Sequence, residues 1–200
     1  LLDEFGIDPI RWYLLKDIKF GSDGDFQQNR FIDLVNNDLA NTIGNLLNRT
    51  STMSRKWFSS SIPSPIKNND NENTLSLLTE STIIDVRTFY SKLDFKSACD
   101  SILSLANQAN TYLNRTQPWS LIKDKENIDQ VAFHLYNVLE TCRIVGVLLL
   151  PVIPNTSSKI LEQLSYKPSM NNWQKDLTWG GLKPSSLLPK PYPIIKKIDR

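Results

Sequence analysis

Apolar side chains recur at steps of three and four from about Gln27 to Trp57. Val35, Leu39, Ile43, Leu46, Met53 and Trp57, with Thr50 between them, form one stripe that predicts a long helix. A second helix is expected over about Thr74 to Tyr90. Leu93 and Asp94 mark the break before a third, in which Phe95, Ala98, Ile102, Leu105, Ala109 and Tyr112 share a face. Pro118 cannot continue a helical hydrogen-bond ladder, so Arg115 to Trp119 interrupts the pattern, and Ser120 to Lys123 reads as a short turn. A fourth long helix, about Asp129 to Leu149, carries Val131, Leu135, Val138, Cys142, Val145 and Leu149 on its stripe and ends before Pro151. Pro154 restarts a helix through Gln163. Near the start, Asp8 followed by Pro9 predicts an N-cap and first helical position for the segment around Arg11 to Lys16. Almost nothing alternates with the two-residue period of a strand. The expected architecture is all-α, an antiparallel helix bundle.

The polar stretches set the organisation. Residues 1–26 read as a connector, with two glycines between Phe20 and Phe26. Residues 27–165 form the bundle, interrupted at 59–73 by two prolines and an Asn-rich run that must be an exposed loop. Residues 166–200, rich in Pro, Lys and Trp, are expected to lie irregularly across the bundle.

Composition narrows the function classes. A hydrophobic share of 40% and a charged share of 22% suit a soluble domain, and no apolar run approaches the ~20 residues of a bilayer span, so no membrane partner is expected. A first residue other than Met is read as a sign that this is a piece of a longer protein. A net charge of +2 is a weak pointer to nucleic acid. Cys99 and Cys142 lie on apolar faces and are expected in the core. With one histidine and no paired cysteines, neither a metal site nor a Cys/His catalytic pair is expected. His134, beside the apolar stripe, is read as structural. Thr52 to Lys56 superficially looks like a Lys-Met-Ser-Lys-Ser loop, but its place inside a periodic helix excludes a mobile phosphate-binding loop.

Two features could carry chemistry. Asn41, Asn45 and Arg49, four residues apart, form a polar row with Asn48 beside them. Amides and a guanidinium can read the edges of unstacked bases, although a merely solvated face is the alternative. Trp119, held at a turn after Pro118, is either a stacking platform or a core anchor under a loop.

These segments carry a resemblance. Phe5 to Leu15, with Gly6, Asp8 and Arg11, resembles the segment after the Lys-Met-Ser-Lys-Ser loop in methionyl-tRNA synthetases, and Phe20 to Phe26 looks like that family's connector. Asn37 to Thr50 resembles its anticodon helix, and Gln117 to Leu121 its Ala-Pro-Trp turn. Leu149 to Pro154, Trp179-Gly180 and the terminal Ile194 to Arg200 follow in order. Two departures, Pro9 for Ala and Gln117 for Ala, sit where a helix start and a solvent-facing turn tolerate them. The resemblance implies a helical anticodon-binding domain for the CAU anticodon of tRNA(Met). Trp119 would stack on the first anticodon base, and Asn41, Asn45 and Arg49 would hydrogen-bond to the bases and backbone, with Asn48 as an accessory. A larger departure is the lack of the family's His-x-Gly-His signature, true Lys-Met-Ser-Lys-Ser loop and nucleotide-binding βαβ unit, so no catalytic residue is expected in this chain. ATP and Mg²⁺ would serve a catalytic domain of the same polypeptide, to which residues 1–26 form the bridge. The resemblance also implies a short bacterial-type or organellar form and a monomer, and the Asn-rich run at Asn68 to Asn73 points to the mitochondrial matrix, with a bacterial cytoplasm as the alternative. The rivals are the helical domain of another class I synthetase (isoleucyl, valyl, leucyl or cysteinyl) and a protein-interaction scaffold.

Overall fold

In the computed structural model, which describes residues 2–19, 21, 23–65, 74–169 and 171–199, the apolar stripes become buried faces. The elements are α1 (Leu2–Phe5), α2 (Ile7–Asp17), α3 (Gln28–Leu34), a π-helical segment (Val35–Gly44), α4 (Asn45–Trp57), α5 (Thr74–Ser91), α6 (Phe95–Thr116), α7 (Pro118–Leu121), a 3₁₀ turn (Lys125–Asn127), α8 (Ile128–Leu149), α9 (Pro154–Gln163) and α10 (Trp173–Asp176). The Asn-rich run, Phe20 and Ser22 lie outside the described residues.

Helix α8 is the centre of the bundle. Every residue from Val131 to Leu149 is buried, polar ones included. It is long and apolar enough to cross a bilayer, yet it is wrapped by protein, with α4, α5, α6 and α9 packed around it. A fully buried charge pair on it confirms that its surroundings are protein: Glu140 and Arg143 are both 0% exposed. Arg143 Nε donates to Glu140 Oε1 and Oε2 at 3.1 and 3.0 Å, and Nη2 donates to Oε1 at 2.6 Å. The guanidinium also donates to the carbonyls of Asp176 and Thr178 and lies 4.6 Å from the centre of the Tyr166 ring. Glu140 in turn accepts from the backbone N–H of Gly180 (2.8 Å), Gly181 (2.8 Å) and Leu182 (3.0 Å). A bare glycine at 181 is required, because a Cβ there would stand 2.6 Å from Arg143 Cζ. The clasp thus fixes residues 176–182 onto the central helix.

Several sequence expectations need correction. The 59–73 segment is not exposed throughout: Ile62 and Pro63 are buried, because apolar Ile62 joins the core and Ser60 to Ile62 pair with Ser185 to Leu188 through backbone hydrogen bonds of 2.8–2.9 Å. Asp8 does not cap its own helix: α2 already begins at Ile7, with Gly6 at φ 75° before it. The Asp8 carboxylate is buried and accepts from the backbone N–H of Thr156 at 2.5 Å, at the start of α9, whose own cap position holds an Ile with no side-chain acceptor. Pro9 accordingly sits third in α2, still within the first turn, where its missing N–H has no helical partner to lose. The long helix from 28 to 57 is also not α-helical throughout. Its middle ten residues follow the wider i→i+5 register before α4 resumes. Along that helix Val35, Leu39, Ile43, Leu46 and Thr50 are buried as expected. Met53 and Trp57 are only half-buried, while Ser51 and Ser54 go inside. Thr52 to Lys56 therefore belongs to a packed helix.

The break at Leu93 and Asp94, the end of the third helix before Pro118 and the core placement of both cysteines and of His134 are as expected. Asp94 caps α6 by accepting from Ser97 N–H at 3.1 Å, and Gln117 ends it in the left-handed region at φ 45°. Cys99 and Cys142 are free and buried, and burial pushes both thiols up to about 12. His134 is buried, with Nδ1 2.7 Å from the Tyr112 hydroxyl. Burial lowers its pKa, so the neutral ring is favoured. Helix α2 shares the bundle core through Trp12 (0% exposed) and Tyr13, and Arg11 donates to the carbonyls of Val152 (2.6 Å) and Pro151 (2.8 Å).

Candidate nucleic-acid interface

Asn41, Asn45 and Asn48 are exposed, on the face of the long helix opposite its buried stripe. Asn41 lies in the π segment and Asn45 opens α4, so the row spans the change of register. Asn41 Nδ2 makes only a long contact with Asn37 Oδ1, at 3.4 Å, which leaves the amides addressable. All three line a groove of about 680 Å³ whose opposite wall is the C-terminal segment from Pro191 to Lys197. The lining carries Lys196 and Lys197 and no carboxylate. Gly44 allows the two walls to meet: a Cβ at this position would come within 3.2 Å of Ile194 Cγ1.

Arg49, one turn beyond Asn45, turns towards the end of α6. Its Nη2 donates to Asn114 Oδ1 at 3.2 Å, and its Cζ lies 5.6 Å from the centre of the Trp119 ring, within cation–π range. Trp119 is 37% exposed. Pro118 beneath it is buried and starts α7, and the left-handed Gln117 swings the chain so that the indole projects beside α4. The indole is therefore neither sealed in the core nor directed away from the amide row. Asn41, Asn45, Asn48, Arg49 and Trp119 follow one another along a single accessible face, although they come from two helices far apart in sequence.

Asn114 and the tail wall were not among the sequence candidates. Asn114 is off the apolar stripe of α6 and reads as an ordinary solvated residue. The tail has no periodicity by which its position could have been inferred.

The chain as a whole has relatives among known proteins. Residues 62–199 match the family model described as the anticodon binding domain of methionyl tRNA ligase, and residues 1–51 match that of class I tRNA synthetases (M). The chain belongs to the methionyl-tRNA ligase family. A methionine–tRNA ligase of a Nostoc species is 42% identical over all of this chain and 39% of its own length. The Arabidopsis thaliana enzyme named chloroplastic/mitochondrial is 36% identical over all of this chain and 33% of its own length. The crystal structure of free Mycobacterium tuberculosis methionyl-tRNA synthetase superposes with a TM-score of 0.90 at 29% identity, covering all of this chain and 40% of the other. The same enzyme in complex with methionyl-adenylate gives 0.89 at 28% identity, covering 97% of this chain and 38% of the other. The chain thus spans well under half of the methionyl-tRNA ligases it matches and corresponds to their helical anticodon-binding region.

Proposed function

We propose that this chain reads the CAU anticodon of tRNA(Met) on the face formed by Asn41, Asn45, Arg49 and Trp119, with Asn48 in support. The observation that carries the reading is the position of the Trp119 indole. It is over a third exposed and paired with the Arg49 guanidinium at the head of the amide row. Splayed single-stranded bases are recognised by aromatic platforms and by amide or guanidinium donors and acceptors, and this face offers all three. The first anticodon base stacks on the indole, and the second and third lie along the row towards Asn41, with Lys196 and Lys197 near the backbone.

In this proposal the chain is the tRNA-selecting part of a monomeric methionine–tRNA ligase. Adenylate formation belongs to the catalytic domain of the same polypeptide, with residues 1–26 as the bridge. ATP and Mg²⁺ are assigned to that catalytic domain, in line with the methionyl-adenylate complex of the Mycobacterium tuberculosis enzyme. The organelle-named Arabidopsis relative and the Asn-rich run support a mitochondrial matrix location, and the Nostoc relative supports the bacterial alternative.

The test is binding of anticodon stem–loops to the full chain. A CAU loop should bind well above a GAU loop. Trp119→Ala should weaken the CAU loop by ~1–3 kcal/mol while leaving the melting temperature nearly unchanged, because the indole is not part of the core. Arg49→Ala should lose a similar amount and flatten the salt dependence. Equal affinity for CAU and GAU loops would remove the methionyl specificity. A Trp119→Ala variant that binds normally would reduce the indole to packing.

A further inference from the structure

A second polar cavity lies on the other side of the α6 terminus from the amide row. It occupies about 350 Å³ between the start of α5, the end of α6 and the start of α8. Tyr112, Arg115 and Thr116 reach it from α6, and Gln130, Phe133 and His134 from α8. Arg115 is exposed at the mouth, with Cζ 5.6 Å from the centre of the Tyr112 ring, and the lining holds no carboxylate to neutralise it. Deeper in, the Tyr112 hydroxyl engages His134 Nδ1, which leaves Nε2 as the remaining polar atom of that ring. The cavity therefore offers an exposed cation, the accessible edges of the largely buried Tyr112 and Phe133 rings (each 8% exposed), and neutral amide and imidazole groups. The size falls within the range of small-ligand sites.

Its location argues for the occupant. Arg115 and Thr116 directly precede Gln117, Pro118 and Trp119, so the cavity and the indole flank the same helix end. Leu121, two residues after Trp119 and in the same helix, also lines the cavity, so the cavity adjoins the turn that carries the indole. If the first anticodon base stacks on Trp119 and the others follow the row, the nucleotide preceding the triplet lies on the cavity side. We propose that the cavity receives that 5′-flanking nucleotide of the RNA loop, with Arg115 on its phosphate, Tyr112 and Phe133 against its base, and Gln130 and His134 on the base's polar edge. This rests on the anticodon-reading proposal and extends the contact beyond the three decoded bases.

The experiment uses the full chain and two stem–loop RNAs bearing CAU, one intact and one abasic at the nucleotide immediately 5′ of the triplet. The abasic loop should bind the unmodified protein about tenfold more weakly, the change expected from losing one stacked, hydrogen-bonded base. Gln130→Ala should weaken the intact loop several-fold and reduce the effect of the abasic change. Arg115→Ala should weaken both loops and lower the salt slope by ~1. Both side chains reach solvent, so unchanged melting temperatures are expected and will separate binding from folding. An abasic loop bound as tightly as the intact one, or Arg115→Ala and Gln130→Ala variants that bind like the unmodified protein, overturns this proposal while Trp119→Ala still reports on the parent reading. Failure of every loop to bind overturns both.

Discussion

Replacing Arg143 by Leu tests how much of the fold depends on the clasp between α8 and residues 176–182. The substitution keeps the apolar volume of the stem but removes the cation from a carboxylate that is 0% exposed. Glu140 would still accept from three backbone N–H groups, at 2.8, 2.8 and 3.0 Å, but its charge would be uncompensated. The carbonyls of Asp176 and Thr178 would lose their donor as well. Removing one partner of a buried ion pair costs ~3–5 kcal/mol. For a chain of this size each kcal/mol moves the midpoint by ~2–4 °C, so a fall of roughly 6–20 °C is expected. Thermal and urea unfolding followed by circular dichroism would measure it. Amide hydrogen exchange should show Gly180, Gly181 and Leu182 losing protection before the rest. In a double-mutant cycle with Glu140→Leu, the double variant should cost less than the sum of the two single variants, because the second change removes a charge already stranded. A midpoint shift below ~3 °C, or strict additivity, would refute the claim that the pair acts as one unit.

The other predictions use the same unfolding measurements. Gly181→Ala should destabilise by ~1–3 kcal/mol, since the added Cβ meets Arg143 Cζ at 2.6 Å and the guanidinium is held by too many bonds to withdraw; an unchanged midpoint would show that the clasp yields. Asp8→Ala should cost ~1–2 kcal/mol by uncapping α9, and Asp8→Asn less, because an amide oxygen can still accept from Thr156 N–H. His134 gives a pH signature. Burial holds its folded pKa below the unfolded value, so its contribution is complete above about pH 6.5 and is lost as pH falls through the folded pKa. As the chain has a single histidine, His134→Gln should flatten the fall in melting temperature as pH drops below about 6.5. A variant with the same slope as the parent would assign that slope to other groups.

The parts legible in the sequence are those set by local periodicity or local sterics. The stripe of α6, the break at Leu93 and Asp94 before it and the break at Pro118 involve residues a few positions apart, and the structure reproduces them. The amide row was legible for the same reason, being a face of one helix. Glu140 and Arg143 were not, because an i,i+3 pair of opposite charges on a helix ordinarily reads as a surface contact. What makes it interior is a segment about forty residues downstream. Asp8 misled for a related reason. The Asp-Pro start has a good local reading, but the real acceptor role is towards a residue 148 positions away. The π register is invisible to side-chain pattern, since steps of four keep a row together in either helix. Trp119 stood between two readings until its exposure and the neighbouring guanidinium were known.

The face proposed to read the anticodon lies at a seam. Asn41, Asn45 and Arg49 fall within the match to the class I synthetase family, while Trp119 and the groove's opposite wall fall within the match to the anticodon-binding family. Neither part makes the surface alone. The C-terminal segment is tied to the long helix at several points: Asn36 and Ile198 exchange two hydrogen bonds of 2.9 Å, Ile194 packs over Gly44, and Arg55 donates to the Leu188 carbonyl. These ties place Tyr192 to Lys197 opposite the amides. The clasp on α8 anchors the same segment further upstream. A groove with one wall of amides and one of lysines thus depends on contacts made well away from any base. Loosening the tail should therefore weaken RNA binding without touching a residue that reads it.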